Sequence, residues 1–200
     1  DSYAFNGCIK INEIVIPGNI SKLSIQCFQD CIGLKSIILN GNFSKIDYAT
    51  FRNCSNLVSF SIPENVTEIG LYAFYNCRSL SSITIPANVV SINEYAFYFC
   101  SNLNLLTIYG NLTSVGAYIF CDCINLISII FYGNINSISR SMFSDCINLN
   151  SIEFKGNVTA ISDSSFFNCS SLNSINLPDS LISIGANSFS LCTNLFSITI

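Results

Sequence analysis

A phenylalanine followed three residues later by a cysteine recurs nine times along this 200-residue chain, always at a period of 23 residues. The motif runs from Phe5 and Cys8, through Phe97 and Cys100, to Phe189 and Cys192. Self-similarity at a fixed period of about 20 to 50 residues is the signature of a solenoid, in which each repeat forms one coil. The sequence therefore predicts a single repeat domain over residues 1–200, with about nine coils, of which the first and last are partial. Because a feature present in every coil belongs to the architecture, function is expected where the coils differ.

Each coil contains one segment that is predicted to be a β-strand. Apolar and polar residues alternate in segments such as 82–85, Ser-Ile-Thr-Ile, and this alternation is typical of a strand with one buried face. Four strands end in a proline, namely Pro17, Pro63, Pro86 and Pro178. Four others have Asn40, Tyr109, Tyr132 or Lys155 at that position, each followed by a glycine that we expect to supply the positive φ of a turn. The rest of the coil is predicted to hold either a second short strand or a helical turn.

Nine of the eleven cysteines occupy one position of the repeat, where stacked coils would place them in a row that we call the cysteine ladder. Their side chains would point in parallel rather than converge, which disfavours disulfides. A straight row also offers no tetrahedral metal cage, and the chain has no His. We interpret the ladder as buried thiols that pack as small hydrophobes. Cys27 and Cys121 lie off the ladder, and Cys121 is expected to be the more exposed of the two.

Composition excludes several classes of function. The net charge of −4 is thinly spread and includes no basic stripe, so no nucleic-acid partner is predicted. The richest apolar stretch, 126–132, is far shorter than the roughly 20 residues of a membrane span, so no membrane insertion is predicted for this segment. No cofactor, metal site or catalytic residue is predicted, because the chain lacks His and clustered carboxylates. Asp122 and Asp145 share one repeat position, which we interpret as a solvated loop.

The best-formed coils resemble a known family of repeats. Residues 57–77 read Leu-x-x-Phe-x-Ile-Pro-x-x-Val-x-x-Ile-Gly-x-x-Ala-Phe-x-x-Cys, and residues 80–100 are similar. This pattern resembles the BspA-like class of leucine-rich repeats. The resemblance implies a right-handed curved solenoid with a parallel β-sheet on its concave face. It also implies a non-enzymatic, extracellular or cell-surface protein involved in adhesion and in binding host matrix proteins. Because the chain starts within a coil and stops within a strand pattern, we interpret it as an excerpt without caps.

The outward residues of the predicted strands are mostly Ser and Thr, and three successive coils depart from this pattern. We call these departures the front patch, which consists of Leu105, Thr107, Tyr109, Ile130, Tyr132, Glu153 and Lys155. Tyrosine adds a large amphipathic contact area at small entropic cost. The front patch is therefore a candidate site for a protein or glycan ligand on the concave face. Two alternatives stay open: the tyrosines only cover strand ends that lack proline, or the chain is a structural spacer or an intracellular interaction scaffold.

Two further patterns recur in the sequence. Tyrosines lie at equivalent positions of successive coils, at Tyr72, Tyr95 and Tyr118, with Tyr75 and Tyr98 close by in the sequence. We interpret them as a stacked structural ladder. Seven glycosylation sequons begin at Asn19, Asn42, Asn53, Asn65, Asn111, Asn157 and Asn168. Five of them fall on the turn asparagine of the repeat, so the repeat itself generates them and they are weak support for secretion.

Overall fold

The computed structural model describes residues 1–199, which form a parallel β-solenoid of about eight turns and contain no helix. In chain order the strands are β1 (Glu13–Ile16), β2 (Ser36–Leu39), β3 (Lys45–Ile46), β4 (Glu68–Ile69), β5 (Ser82–Ile85), β6 (Ser91–Ile92), β7 (Leu105–Ile108), β8 (Ser114–Val115), β9 (Ser128–Phe131), β10 (Ile135–Ile138), β11 (Ser151–Phe154), β12 (Val158–Ile161), β13 (Ser174–Asn176), β14 (Ser183–Ile184) and β15 (Ser197–Thr199). The predicted repeat solenoid with a parallel sheet is confirmed. The sequence left open the second half of the coil, and the structure places a short strand there, followed by turns.

The strands fall into two groups, and each group pairs with its counterpart one coil away. The front strands are β1, β2, β5, β7, β9, β11, β13 and β15, and we call their surface the front sheet. Paired residues of neighbouring front strands are one repeat apart in the sequence, so that Ile83 pairs with Leu106, which pairs with Ile129. The remaining strands form a second parallel surface, in which Ile69 pairs with Ile92. This constant register places equivalent residues of successive coils side by side.

The front sheet is interrupted at residues 59–62, where the sequence predicts a strand and the structure has none. Phe60 occupies the inward position that is Ile or Leu in the other coils. Its ring is buried against Phe51 and Phe74, with ring centroids 5.0 and 4.9 Å away. We attribute the loss of pairing to this larger side chain. A cavity of about 220 Å³ opens between this segment and β5, lined by hydroxyls such as those of Ser61 and Thr84.

The phenylalanines of the repeat motif form a continuous stack through the core. Phe97 has no exposed surface. Its ring lies parallel to those of Phe74 and Phe120, at centroid distances of 4.9 and 5.1 Å. The spacing of the rings is close to the separation of about 4.8 Å between neighbouring strands. Each coil between the first and the last therefore buries its phenylalanine against the phenylalanines of the coils on either side.

The cysteine ladder is buried beside the phenylalanine stack, as predicted. All eleven cysteines are free thiols; ten are buried and Cys8 is half-buried. Eight ladder thiols also donate a hydrogen bond to a phenylalanine carbonyl of the preceding coil. The Phe74 carbonyl, for example, accepts the Cys77 amide at 3.2 Å and the Cys100 thiol at 3.3 Å. Cysteine thus suits this position because it is small, apolar enough for burial, and a weak donor.

Cys121 was expected to be the more exposed of the two off-ladder cysteines, but both are buried, and only 4% of Cys27 is exposed. Only 5% of Cys121 is exposed, and its thiol donates to the Asp122 carboxylate at 3.7 Å. Burial, reinforced by the negative charge of Asp122, raises the pKa of this thiol to about 12. Its repeat position is occupied by Tyr75 and Tyr98 in earlier coils, which are half-buried. The smaller cysteine side chain is covered more completely there.

The glycines that follow the proline position in the proline-less coils serve a purpose different from the one predicted. Gly7 is the one glycine with positive φ among residues 1–199, whereas two turn positions of the repeat adopt positive φ with other residues, such as Tyr95 and Phe99. A Cβ atom on Gly133 would lie 2.1 Å from the Gly110 carbonyl oxygen. The glycines of the proline-less coils are therefore required by the close approach of neighbouring turns. After proline, the same position accommodates larger residues such as Ala87.

We expect Gly133→Ala to destabilise the solenoid by about 1–3 kcal/mol, because the new methyl group would overlap the backbone of the preceding coil. Urea unfolding followed by circular dichroism measures this loss. Gly18→Ala is the matched control, since Gly18 holds the same repeat position after Pro17 and its Cβ would meet only the Asn40 carbonyl, at 3.3 Å. Equal losses in the two variants would contradict the close-approach explanation.

Candidate functional site

The front patch lies on the longest uninterrupted part of the front sheet. Strands β5, β7, β9 and β11 form one four-stranded parallel sheet. Thr107 pairs with Ile130, which pairs with Glu153, so these three side chains form one row across the sheet. Leu105 begins β7 and is 53% exposed, although it stands in a row that is otherwise serine in the neighbouring strands. The structure therefore brings together the strand residues that the sequence singled out.

Tyr109 and Tyr132 follow β7 and β9 and stack on each other. Their ring centroids are 4.7 Å apart and their planes differ by 11°. Their backbones are held in place, because the Tyr109 amide donates to the Ile85 carbonyl at 3.0 Å and the Tyr132 amide to the Ile108 carbonyl at 2.8 Å. The side chains are nevertheless 47% and 46% exposed. The two rings therefore form an exposed stack on a backbone that is held by hydrogen bonds.

The third coil of the front patch is charged. Lys155 forms an ion pair with Glu153, and the hydrogen bond to that carboxylate raises the pKa of the lysine. Both side chains are about half exposed, at 49%. An exposed ion pair of this kind contributes little to stability. The front patch thus offers exposed apolar area in two coils and a pair of opposite charges in the next.

Sequence reasoning missed an apolar border beside the front patch. Ile127, directly before β9, is 43% exposed, and Ile124 and Ile147 follow ladder cysteines and are 39% and 38% exposed. The three preceding coils have a polar residue after the ladder cysteine, namely Ser55, Arg78 and Ser101, whereas the first two coils have Ile9 and Ile32. A comparison of this position between neighbouring coils would have identified the border from the sequence.

A second aromatic surface lies on the turns that follow the second strands. Tyr95 stacks between Tyr72 and Tyr118 at centroid distances of 5.2 and 5.1 Å, so the predicted tyrosine ladder is confirmed. Arg52 holds the repeat position of Tyr75, and its guanidinium lies 5.3 Å from the centre of that ring. Cation–π contacts of this kind stabilise the stack. The regular stacking and the half-buried rings are consistent with a structural role for this surface.

The two aspartates that the sequence singled out form hydrogen bonds within and between coils. Asp122 and Asp145 were interpreted as a solvated loop; both lie in turns, with φ of 59° and 62°, but they are half-buried rather than fully solvated. The Asp145 carboxylate accepts the Asn168 side-chain amide of the next coil at 2.9 Å. Within residues 1–199, no group of three His, Cys, Asp or Glu side chains is arranged to hold a metal ion. In the same residues, no helix is long and apolar enough to span a membrane.

Comparison with protein families matches nearly the whole chain to one type of repeat. The profile of the BspA type leucine rich repeat region matches residues 1–104 and 67–196, in a region described as six copies. The chain belongs to the BspA-type leucine-rich repeat family. None of the curated proteins matches this BspA-type chain.

Solved structures share the fold of this BspA-type solenoid. A leucine rich cell surface protein from Faecalibacterium prausnitzii is 26% identical over the whole chain, with a TM-score of 0.58. The leucine rich repeat protein of T. pallidum is 22% identical over 94% of the chain, with a TM-score of 0.74, and the match covers 79% of that protein. A leucine-rich repeat protein from Eubacterium ventriosum is 22% identical over 90% of the chain, with a TM-score of 0.71. The match spans 62% of the Faecalibacterium protein and 58% of the Eubacterium protein.

Proposed function

We propose that this BspA-type chain is a non-enzymatic binding module of a cell-surface adhesion protein, and that its front patch contacts a host or matrix protein, or a glycan. The observation that carries the proposal is the exposed, stacked pair of Tyr109 and Tyr132 at the ends of two adjacent strands. Tyrosine and other large rings contribute much of the binding energy in protein interfaces. Rigid repeat proteins commonly bind ligands on such extended faces.

The surface location of the module is proposed from similarity. The Faecalibacterium protein of similar fold is described as a cell surface protein. The composition of this chain agrees with a role in binding rather than in catalysis, since it has no His and few charged residues. The front sheet is mostly hydroxyl, and the front patch adds exposed aromatic and apolar area to it, as the pair of Val15 and Ile38 does on β1 and β2.

The alternative is a spacer whose front sheet binds nothing. In that case Tyr109 and Tyr132 only cover the strand ends that lack proline. A capture assay separates the two functions: residues 1–200, produced in bacteria, are passed over immobilised extracellular-matrix proteins and over a glycan array. We expect saturable binding to at least one component of these panels. Absence of binding to every component would favour the spacer.

A further inference from the structure

We propose that this solenoid accepts N-linked glycans along one edge, at Asn19, Asn42, Asn65, Asn111 and Asn157, and that it does not accept them at Asn53 or Asn168. The proposal rests on the proposed surface location, because the modification takes place in the secretory pathway. In the transfer, the asparagine Nδ2 forms a bond to the anomeric carbon of the oligosaccharide as it loses a proton. The bond from that carbon to a lipid-linked diphosphate donor breaks, and the lipid diphosphate leaves.

The five acceptor asparagines share one repeat position, in the turn that follows β1, β2, β7 and β11 and, for Asn65, the unpaired segment 59–62. All five side chains are exposed. In four of the five sequons the middle residue points into the core, as Val66 does with no exposed surface, and the residues on either side of it therefore face outward together. Asn65 and Thr67 are both exposed in this way. The asparagine and the hydroxyl residue of the sequon are thus presented side by side to solvent.

The two excluded sequons occupy a different turn, in which the middle residue is a ladder cysteine. The Asn53 Nδ2 donates to the Asp30 carboxylate at 2.7 Å, and the Asn53 Oδ1 accepts from the Asn76 side chain at 3.0 Å. The Asn168 Nδ2 donates to the Asp145 carboxylate at 2.9 Å. The nitrogen that would carry the glycan is therefore already part of a hydrogen-bonded row between coils.

Glycan transfer can precede folding, so Asn53 and Asn168 could be modified in the unfolded chain. The hydrogen-bonded row explains why folded protein would nevertheless lack glycans at these two residues. Both residues are half-buried, with φ of 62° and 57°. A glycan on Asn53 would leave one hydrogen on Nδ2, and the bond to the Asp30 carboxylate could be kept only if the sugar found space between stacked turns. The loss of a hydrogen-bond partner destabilises the folded state more when the remaining group is charged and half-buried than when it is neutral. Chains modified there would fold poorly and would be depleted from secreted material.

Spacing separates the five acceptors into two groups. Asn19, Asn42 and Asn65 lie in successive coils, and neighbouring coils are only about 4.8 Å apart. A glycan is wider than this spacing, so Asn42 is expected to be modified less completely than the other acceptors. Asn111 and Asn157 are separated by a coil whose turn, Asn134-Ile135-Asn136, is not a sequon. We expect these two positions to be modified almost completely.

Mass spectrometry of secreted protein tests the proposal. Residues 1–200 are expressed behind an added secretion signal in a glycosylating yeast, purified, and treated with peptide N-glycosidase in water enriched in oxygen-18, which converts each formerly glycosylated Asn into labelled Asp. We expect label at Asn111 and Asn157 and none at Asn53 or Asn168. Label at Asn53 or Asn168, or no label at Asn111 and Asn157, would overturn the proposal.

A matched variant tests whether modification of Asn111 depends on its sequon. Thr113→Ala keeps Asn111, whose Oδ1 accepts the Asn134 amide at 2.8 Å, but destroys the sequon. It should abolish label at Asn111 and leave label at Asn157 unchanged. Retention of label at Asn111 would also contradict the proposal. The outcome is independent of the capture assay, which uses bacterial protein without these glycans.

Discussion

Raising the pH from 7 to 10 should strongly lower the stability of this solenoid, because folding holds a column of thiols in the protonated form. Burial raises the pKa of Cys100 to about 12. It also raises the pKa values of the other central thiols of the cysteine ladder, namely Cys54, Cys77, Cys123, Cys146 and Cys169. In the unfolded chain a thiol titrates near about 8.5.

The sign of the effect follows from proton binding. Between the unfolded and the folded pKa, the native state keeps protons that the unfolded state has lost, so the free energy of unfolding falls as the pH rises. The stability is fully present below pH 8 and is lost progressively above about pH 8.5. At pH 10 each such thiol lowers the free energy of unfolding by about 2 kcal/mol. Six thiols together lower it by about 12 kcal/mol, which is comparable to the whole stability of an ordinary domain of about 5–15 kcal/mol.

The measurement is the urea midpoint at several pH values from 7 to 10, in the presence of a reductant. A Cys100→Ser, Cys123→Ser variant is the control, because serine can donate to the same carbonyls and does not titrate in this range. The change in stability between the two ends of the pH range should be smaller in this variant by about 4 kcal/mol, since two thiols at about 2 kcal/mol each are removed. A midpoint that does not depend on pH, or the same dependence in both proteins, would show that the ladder thiols are not the cause.

Phe97→Ala should lower the free energy of unfolding by about 3–5 kcal/mol. Phe97 has no exposed surface and stacks on Phe74 and Phe120, so its removal leaves a cavity that contacts two neighbouring coils. Stability in a repeat protein comes largely from interfaces between neighbours, and this substitution weakens two of them. Urea unfolding followed by circular dichroism measures the loss.

Phe196→Ala is the matched control for the phenylalanine stack. Phe196 is 81% exposed, and its removal leaves no cavity. We expect a change within about 0.5 kcal/mol for this variant. A loss under about 1 kcal/mol for Phe97→Ala would be inconsistent with the assignment of the phenylalanine stack as the core.

Periodicity alone predicts most of the fold, because residues that repeat at one period must occupy equivalent environments. The positions of Phe97 and Cys100 in the core and the alternation in β5 follow directly from it. The break at residues 59–62 did not, since Phe60 is as apolar as the residues it replaces and only its volume in three dimensions shows the effect. The glycine at position 133 was also misinterpreted, because a close approach between coils leaves no local signature in the sequence.

The composition of the front patch could be predicted from the sequence because a constant register maps departures from the repeat onto one surface. What the sequence could not provide is the conformation of the side chains. The stacking of Tyr109 on Tyr132 and the ion pair between Lys155 and Glu153 depend on rotamers chosen in the folded state. The burial of Cys121 was missed for the same reason, since it depends on the side chains of neighbouring coils.

The most direct test of the proposed site compares two pairs of stacked tyrosines. One variant changes Tyr109 and Tyr132, whose ring centroids are 4.7 Å apart in the original chain, to serine. The other variant changes Tyr75 and Tyr98, whose ring centroids are 5.4 Å apart, to serine. Both variants are checked for folding by circular dichroism and are titrated against the component captured from the matrix or glycan panels. We expect the first variant to lose at least about 2 kcal/mol of binding free energy, roughly a 30-fold increase in Kd, and the second to bind like the original chain. Unchanged binding by a folded Tyr109→Ser, Tyr132→Ser variant would contradict the assignment of the front patch.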